Sequence, residues 1–284
     1  MNRFMDLAKE LDEYSKEGMF SDSIKKLVEK RDELDSLDYL NESLLLWLEG
    51  HDQVGKEQVA EMIQAFLSLI IEGIRVDSTR TIETLQSFWF GTEDNPELEC
   101  MSSYTEYVRK KASYDALLPE LSSESSYAKK KHFSMEALST YSKGVEFIGK
   151  IFTPLLVLGK IIDEEDYSLY KISQMTLHEK VKWFNKKRGN KYALFGDAIN
   201  RQIRNADSHL NLNVNIDKGI VELKKFRKGK VVIETILWES FIRDYFVKIG
   251  WMIQGYIYAQ ILMIQGVQDR DTFVGNLEKI QGII

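Results

Sequence analysis

Breakers are scarce in this sequence. Three prolines (Pro96, Pro119, Pro154) and 17 glycines are few for 284 residues, and with abundant Leu, Ile, Glu and Lys they predict a mainly helical chain. The single cysteine, Cys100, excludes an intramolecular disulfide and a cysteine-built zinc site. A reducing cytoplasm is the compartment expected for such cysteine usage. Only four histidines occur, His51, His132, His178 and His209. None stands at metal-ligand spacing from another His or from the cysteine, so neither a metal nor a cofactor is expected. Long hydrophobic runs are lacking too. The greasiest stretch, residues 249–264, is interrupted by Gln254 and Gln260 and falls short of the ~20 apolar residues that span a bilayer. Residues 1–10 lack the apolar core of a signal peptide, and no membrane partner is expected.

What is present is an uneven charge. The formal net charge is −6, which argues against a general nucleic-acid coat protein. Yet residues 178–230 hold fourteen Lys/Arg against five Asp/Glu. A basic segment inside an acidic protein is the footprint of a local polyanion site.

Read in order, the first 120 residues give a series of amphipathic helices with stripes such as Val59, Met62, Ile63, Phe66, Ile70 and Ile74. The serine-rich stretch 121–134 reads as a linker between a helical N-terminal domain (1–120) and a C-terminal domain (135–284). A long helix is expected over 134–162, with Pro154 kinking or splitting it. A capping box at Thr176–Glu179 opens the next helix, a turn is expected at 188–190, and a further helix over 191–210. The period then changes to two: Leu212, Val214 and Ile216 alternate with Asn211, Asn213 and Asn215. Two further strands follow across turns at 217–219 and 227–229, and a long helix over 238–265.

One phosphate-binding lookalike fails on inspection. Residues 50–57 match the spacing of a P-loop until the last position, which needs Ser or Thr but holds Glu57. The segment before it reads as helix, not strand.

The stretch that carries chemistry is Arg204-Asn205-Ala206-Asp207-Ser208-His209. On a helical wheel, Arg201, Ser208, Asn205 and His209 lie within about 140° of Arg204 on one polar face, and Asp207 falls away from it. Phe195, Ile199, Ile203, Ala206 and Leu210 gather on the opposite, apolar face. An imidazole can take a proton from a ribose 2′-hydroxyl and return one to the leaving 5′-oxygen. An arginine can stabilise the phosphorane charge between those steps. The same pattern also fits an ordinary helix end, where basic side chains complement the dipole.

The motif resembles the Arg-x(4–6)-His signature of HEPN domains, in which the residue after the arginine is often Asn, as here. The setting is similar as well: a motif closing a helix, an excursion, then a long helix returning. The resemblance spans residues 135–284 and implies a C-terminal HEPN-like helical bundle with a small β-hairpin or three-strand insertion after the motif helix. It implies a metal-independent endoribonuclease of the toxin or phage-defence type, leaving a 2′,3′-cyclic phosphate. Arg204, His209 and Asn205 would be catalytic, and Arg201, Ser208, Lys186, Lys187 and Arg188 would hold the RNA. It further implies a homodimer with a composite site and an inhibitory antitoxin or sensor partner. The alternative is a non-catalytic HEPN-like module that binds a nucleotide, RNA or protein.

Overall fold

A computed structural model describes residues 2–19, 22–50, 54–208, 211–227 and 229–284; residues 2, 190, 207 and 208 are described in their backbone alone. The chain is mainly α-helical, with one small antiparallel sheet towards its C-terminal end. Five helices come first: α1 (Asn2–Lys16), α2 (Asp22–Glu29), α3 (Ser36–Glu49), α4 (Lys56–Val76) and α5 (Ser78–Phe90). Then follow α6 (Met101–Leu117), α7 (Tyr127–Ile162), α8 (Leu169–Gln174), α9 (Leu177–Tyr192) and α10 (Arg201–Ser208). Strands β1 (Leu212–Asn215), β2 (Ile220–Arg227) and β3 (Lys230–Leu237) come next. The chain closes with α11 (Trp238–Phe241), a π-helical turn (Ile242–Phe246), α12 (Val247–Gln268) and α13 (Arg270–Gln281). No described helix is long and apolar enough to cross a membrane.

Contacts divide the chain into two compact units, each discontinuous in sequence. The first comprises residues 1–102, 149–195 and 251–284; the second comprises 103–148 and 196–250. The stretch 121–134 does not separate them: it lies wholly in the second unit, and from Tyr127 onward it is the opening of α7.

The first unit is built on the stripe of α4. Ile63, Phe66 and Ile70 are essentially inaccessible to solvent, as are Leu44, Phe184 and Phe195. Phe66 stacks on Phe195 at 4.2 Å between ring centroids and meets Tyr256 edge-on at 5.3 Å. Each such large apolar side chain contributes about 1.5–3 kcal/mol when fully buried. The P-loop lookalike serves structure here. Lys56 Nζ donates to the carbonyls of Leu48 and Gly50, satisfying orphan acceptors at the end of α3.

Pro154 does not split α7, which remains one helix to Ile162. A proline removes one backbone donor and crowds the preceding turn. Lys180 of α9 braces the turn before the proline, bonding the Gly149 carbonyl at 3.1 Å and the Thr153 hydroxyl at 2.8 Å. The capping box at Thr176 forms as the sequence predicts, but the turn expected at 188–190 does not. Arg188 donates to the Gly159 carbonyl and pairs with Asp163, and the buried Tyr192 stacks on Phe195. These contacts draw α9 on to Tyr192.

The second unit packs Tyr107, Tyr141, Val145, Phe147 and Phe241 with Ile203 of α10 and with Val214, Val221 and Leu223 of the sheet. The strand order is β1-β2-β3, with Leu212 opposite Leu223 and Val214 opposite Val221. Lys131 of α7 fastens the sheet by donating to Asn213 Oδ1 at 2.6 Å and to the Val214 carbonyl. β1 is half the length of its partners, so beyond Leu223 the β2–β3 pair continues as a two-stranded ribbon.

Candidate functional site

The motif does not lie on the long helix expected over 191–210. A short 3-10 turn (Ala193–Gly196) ends the preceding segment, residues 197–200 are non-helical, and α10 starts afresh at Arg201. The cause is a buried hydroxyl. Tyr141, wholly inaccessible on α7, donates through its OH to the Ala198 carbonyl at 2.9 Å and accepts from the Asn200 amide at 2.7 Å. Those two backbone groups are thereby taken out of any helical ladder. Asn200 then acts as the N-cap, its Oδ1 accepting from the amides of Gln202 at 3.0 Å and Ile203 at 3.3 Å. Burial pushes the Tyr141 phenol far above its ordinary range, against the downward pull of the Asn200 amide, so it stays a neutral donor.

On α10 the faces divide as the wheel predicts for the helical part. Ile203 and Ala206 are buried, Arg201 and Asn205 are exposed, and Arg204 is half-buried. Phe195 is buried too, but in the preceding turn and not on the motif helix. Arg204 Nη1 donates to Asn205 Oδ1 at 3.2 Å. Its Nη2 lies 3.7 Å from Glu146 Oε1, a carboxylate on α7 that Lys143 approaches to 3.7 Å as well. Such exposed, loosely spaced pairs contribute about 0–1 kcal/mol, so a phosphate can displace Glu146 from the guanidinium.

The expected base, His209, lies outside the described residues, and nothing describes the Ser208 side chain. The chain on either side is fixed. The Asn211 amide donates to the Ala206 carbonyl at 2.8 Å, and the Lys224 amide donates to the Asn211 carbonyl at 2.8 Å. Helix end and second strand are thus tied through Asn211.

The other RNA contacts expected from the sequence, Lys186, Lys187 and Arg188, belong to the first unit. They line a cleft of about 190 Å³ there with Glu72, Lys191 and Tyr192. Lys186 is exposed, but Lys187 pairs with Glu165 at 2.9 Å and Asp163 at 3.6 Å, and Arg188 pairs with Asp163. Hydrogen bonds from Lys187 and Lys160 hold the Glu165 carboxyl down at about 2. Two of these three cations therefore start out neutralised.

A second cavity in the first unit, about 210 Å³, is lined by residues that include Thr84, Ser87, Cys100, Lys150 and Thr153. Burial pushes the Cys100 thiol up to about 12, so it is no nucleophile at neutral pH. Among the described residues, no three His, Cys, Asp or Glu side chains gather as a ligand set.

No family model, no curated protein and no solved structure matches this chain. Sequence reasoning missed Tyr141, Lys143, Glu146 and Asn200. Asn200 alone left a signal, as an Asn directly before a helical pattern. The other three lie about sixty positions from the motif and become neighbours only through packing.

Proposed function

We propose that this chain is a metal-independent endoribonuclease that cuts RNA through attack by the ribose 2′-hydroxyl. What supports this reading is Arg204 and Asn205 side by side on the solvent face of α10, a helix anchored at Asn200, with His209 just past its end. His209 takes the 2′-hydroxyl proton as the 2′-oxygen bonds to phosphorus. The imidazolium of a second motif, or the same one after reorientation, returns a proton to the departing 5′-oxygen. The products are a 2′,3′-cyclic phosphate and a 5′-hydroxyl, with no net change in protons. Arg204 faces the non-bridging oxygens, where charge builds in the transition state. Arg201 and Ser208 hold the flanking backbone. A homodimer brings two motif helices to one cleft, which a two-fold axis permits. The protein works in the cytoplasm as a toxin or phage-defence effector, silenced by an antitoxin or sensor until triggered.

The test is incubation of total RNA in EDTA with the wild-type protein, His209→Ala and Arg204→Ala. Cleavage by the wild type alone is expected. Intact RNA in every sample, after the wild type has been confirmed folded and dimeric, overturns the catalytic reading.

A second reading draws on the Lys186, Lys187, Arg188 and Lys191 cleft beside Tyr192. Lys186 is exposed there, while Lys187, Arg188 and Lys191 are held by Glu165, Asp163 and Glu72, so a nucleotide bound without being cut would exchange its phosphates for those carboxylates. Retained nucleotide binding together with intact RNA favours it.

A further inference from the structure

The two-stranded end of β2–β3 has the least burial and the densest positive charge of the sheet. Residues 224–230 read Lys-Lys-Phe-Arg-Lys-Gly-Lys, five cations in seven positions with no carboxylate. Lys228 lies outside the described residues. Register sorts the remainder onto two faces. Phe226 pairs with Val231 and Lys224 with Ile233 on one face; Lys225 pairs with Val232 and Arg227 with Lys230 on the other. The first face is apolar and open to solvent: Phe226 is 74% exposed, Val231 57% and Ile233 56%. On the second face Glu234 answers Arg227 at 2.8 Å and also Lys225, one carboxylate between two cations. Lys224 and Lys230 have no ion-pair partner among the described residues. Gly229 turns the ribbon at φ +76° with nothing packed around it.

Exposed apolar strands are a liability that folded chains cover or charge. Pairing with a second copy of this ribbon is opposed by the cations, which would meet across the junction. A ring ready to stack, with Lys224 on its own face and Arg227 and Lys230 closing the end of the ribbon beside it, instead matches a single nucleic-acid strand: bases on the aromatic face, phosphates on the cations beside it and around the tip. We propose that the β2–β3 ribbon is a docking arm for single-stranded RNA, with Phe226 as its stacking platform, Lys224 beside it, and Arg227 and Lys230 at the tip as its phosphate contacts. A single strand is selected over a duplex because the A-form major groove is too narrow to admit such a ribbon. Naming RNA as the strand rests on the ribonuclease reading above; the arm itself does not.

The experiment is fluorescence anisotropy of the full chain with a labelled 12-nucleotide oligodeoxyuridylate, which has no 2′-hydroxyl to attack, and with an RNA of the same sequence. Phe226→Ala is expected to weaken binding of the deoxy strand about tenfold. Phe226→Trp should keep the affinity and show quenched indole emission on binding. Lys224→Glu with Lys230→Glu should weaken binding further and flatten the salt dependence, which falls by about 0.7 log units per phosphate contact for a single strand. All three positions are surface sites, so an unchanged melting temperature verifies folding. Wild-type affinity in every variant overturns the proposal. So does tighter binding of a duplex that ignores Phe226, loss of self-association as the only effect of Phe226→Ala, or binding to phosphatidylserine vesicles with none to either strand. Ribbon-dependent binding by a protein that leaves RNA intact sinks the nuclease reading and spares the arm; cleavage with ribbon-independent binding does the reverse.

Discussion

Tyr141→Phe removes one oxygen and tests how the motif helix is anchored. The ring stays, with its edge-on contact to Phe241 at 5.4 Å. What is lost is the partner of the Ala198 carbonyl and of the Asn200 amide. Ala198 is wholly buried, so its stranded acceptor costs about 1–3 kcal/mol. The Asn200 amide is part-buried, and its lost bond costs about 0.5–1.5 kcal/mol. Together the change should be about 1.5–4.5 kcal/mol, a sizeable part of the 5–15 kcal/mol typical of whole domains. Urea denaturation reads the total from the shift in midpoint at constant slope. Amide hydrogen exchange locates it: protection should fall at Asn200, Gln202 and Ile203, where α10 begins, before it falls in the core of α7. A loss under about 1 kcal/mol, or unchanged protection at Asn200, would refute the pinning role and return the break before α10 to its own sequence.

Two further perturbations follow from packing and burial. Gly144→Ala places a methyl 2.2 Å from Ile249 Cγ2 and 3.1 Å from the Tyr107 ring. Overpacking of about 1–3 kcal/mol should outweigh the roughly 1 kcal/mol of helix propensity gained; urea midpoints should show net destabilisation, relieved when Ile249 is also cut to Ala. Lys180 is buried with a hydroxyl and a carbonyl as partners, and desolvation, then Lys150, lowers its pKa from 10.5 to about 8. Below pH 8 the ammonium is charged in both states and its burial penalty is present in full. Between about 8 and 10.5 the folded protein has shed the proton that the unfolded chain still binds, so stability rises with pH, by about 3 kcal/mol over that window. The stability difference between wild type and Lys180→Met should therefore shift in favour of the wild type as pH rises, and a flat difference would contradict the burial assignment.

Much of the fold was legible because burial follows period. The α4 stripe, the capping box at Thr176 and the change to alternation at Leu212 all appear where the sequence puts them. The errors share one origin, which is tertiary contacts acting on local breaks. Gly189 looked like a turn, but Arg188 and Tyr192 find partners that keep the helix going. Residues 197–200 looked helical, but a tyrosine more than fifty positions earlier claims their backbone groups. The polar face of α10 could be read from spacing alone. Glu146 beside Arg204 could not, because no periodicity links residues fifty-eight positions apart. The same holds for the basic triplet, whose charges were visible in sequence while the Asp163 and Glu165 that answer them were not.

The sharpest measurement concerns the ends of the cut. RNA cleaved by the wild-type protein in EDTA should carry a 2′,3′-cyclic phosphate on one side of the break and a 5′-hydroxyl on the other. A single 2′-deoxy substitution at the scissile position should block that cut and leave its neighbours unaffected. Ends bearing a 5′-phosphate and a 3′-hydroxyl, or cleavage that appears only with added magnesium, would contradict the 2′-hydroxyl mechanism proposed for Arg204 and His209.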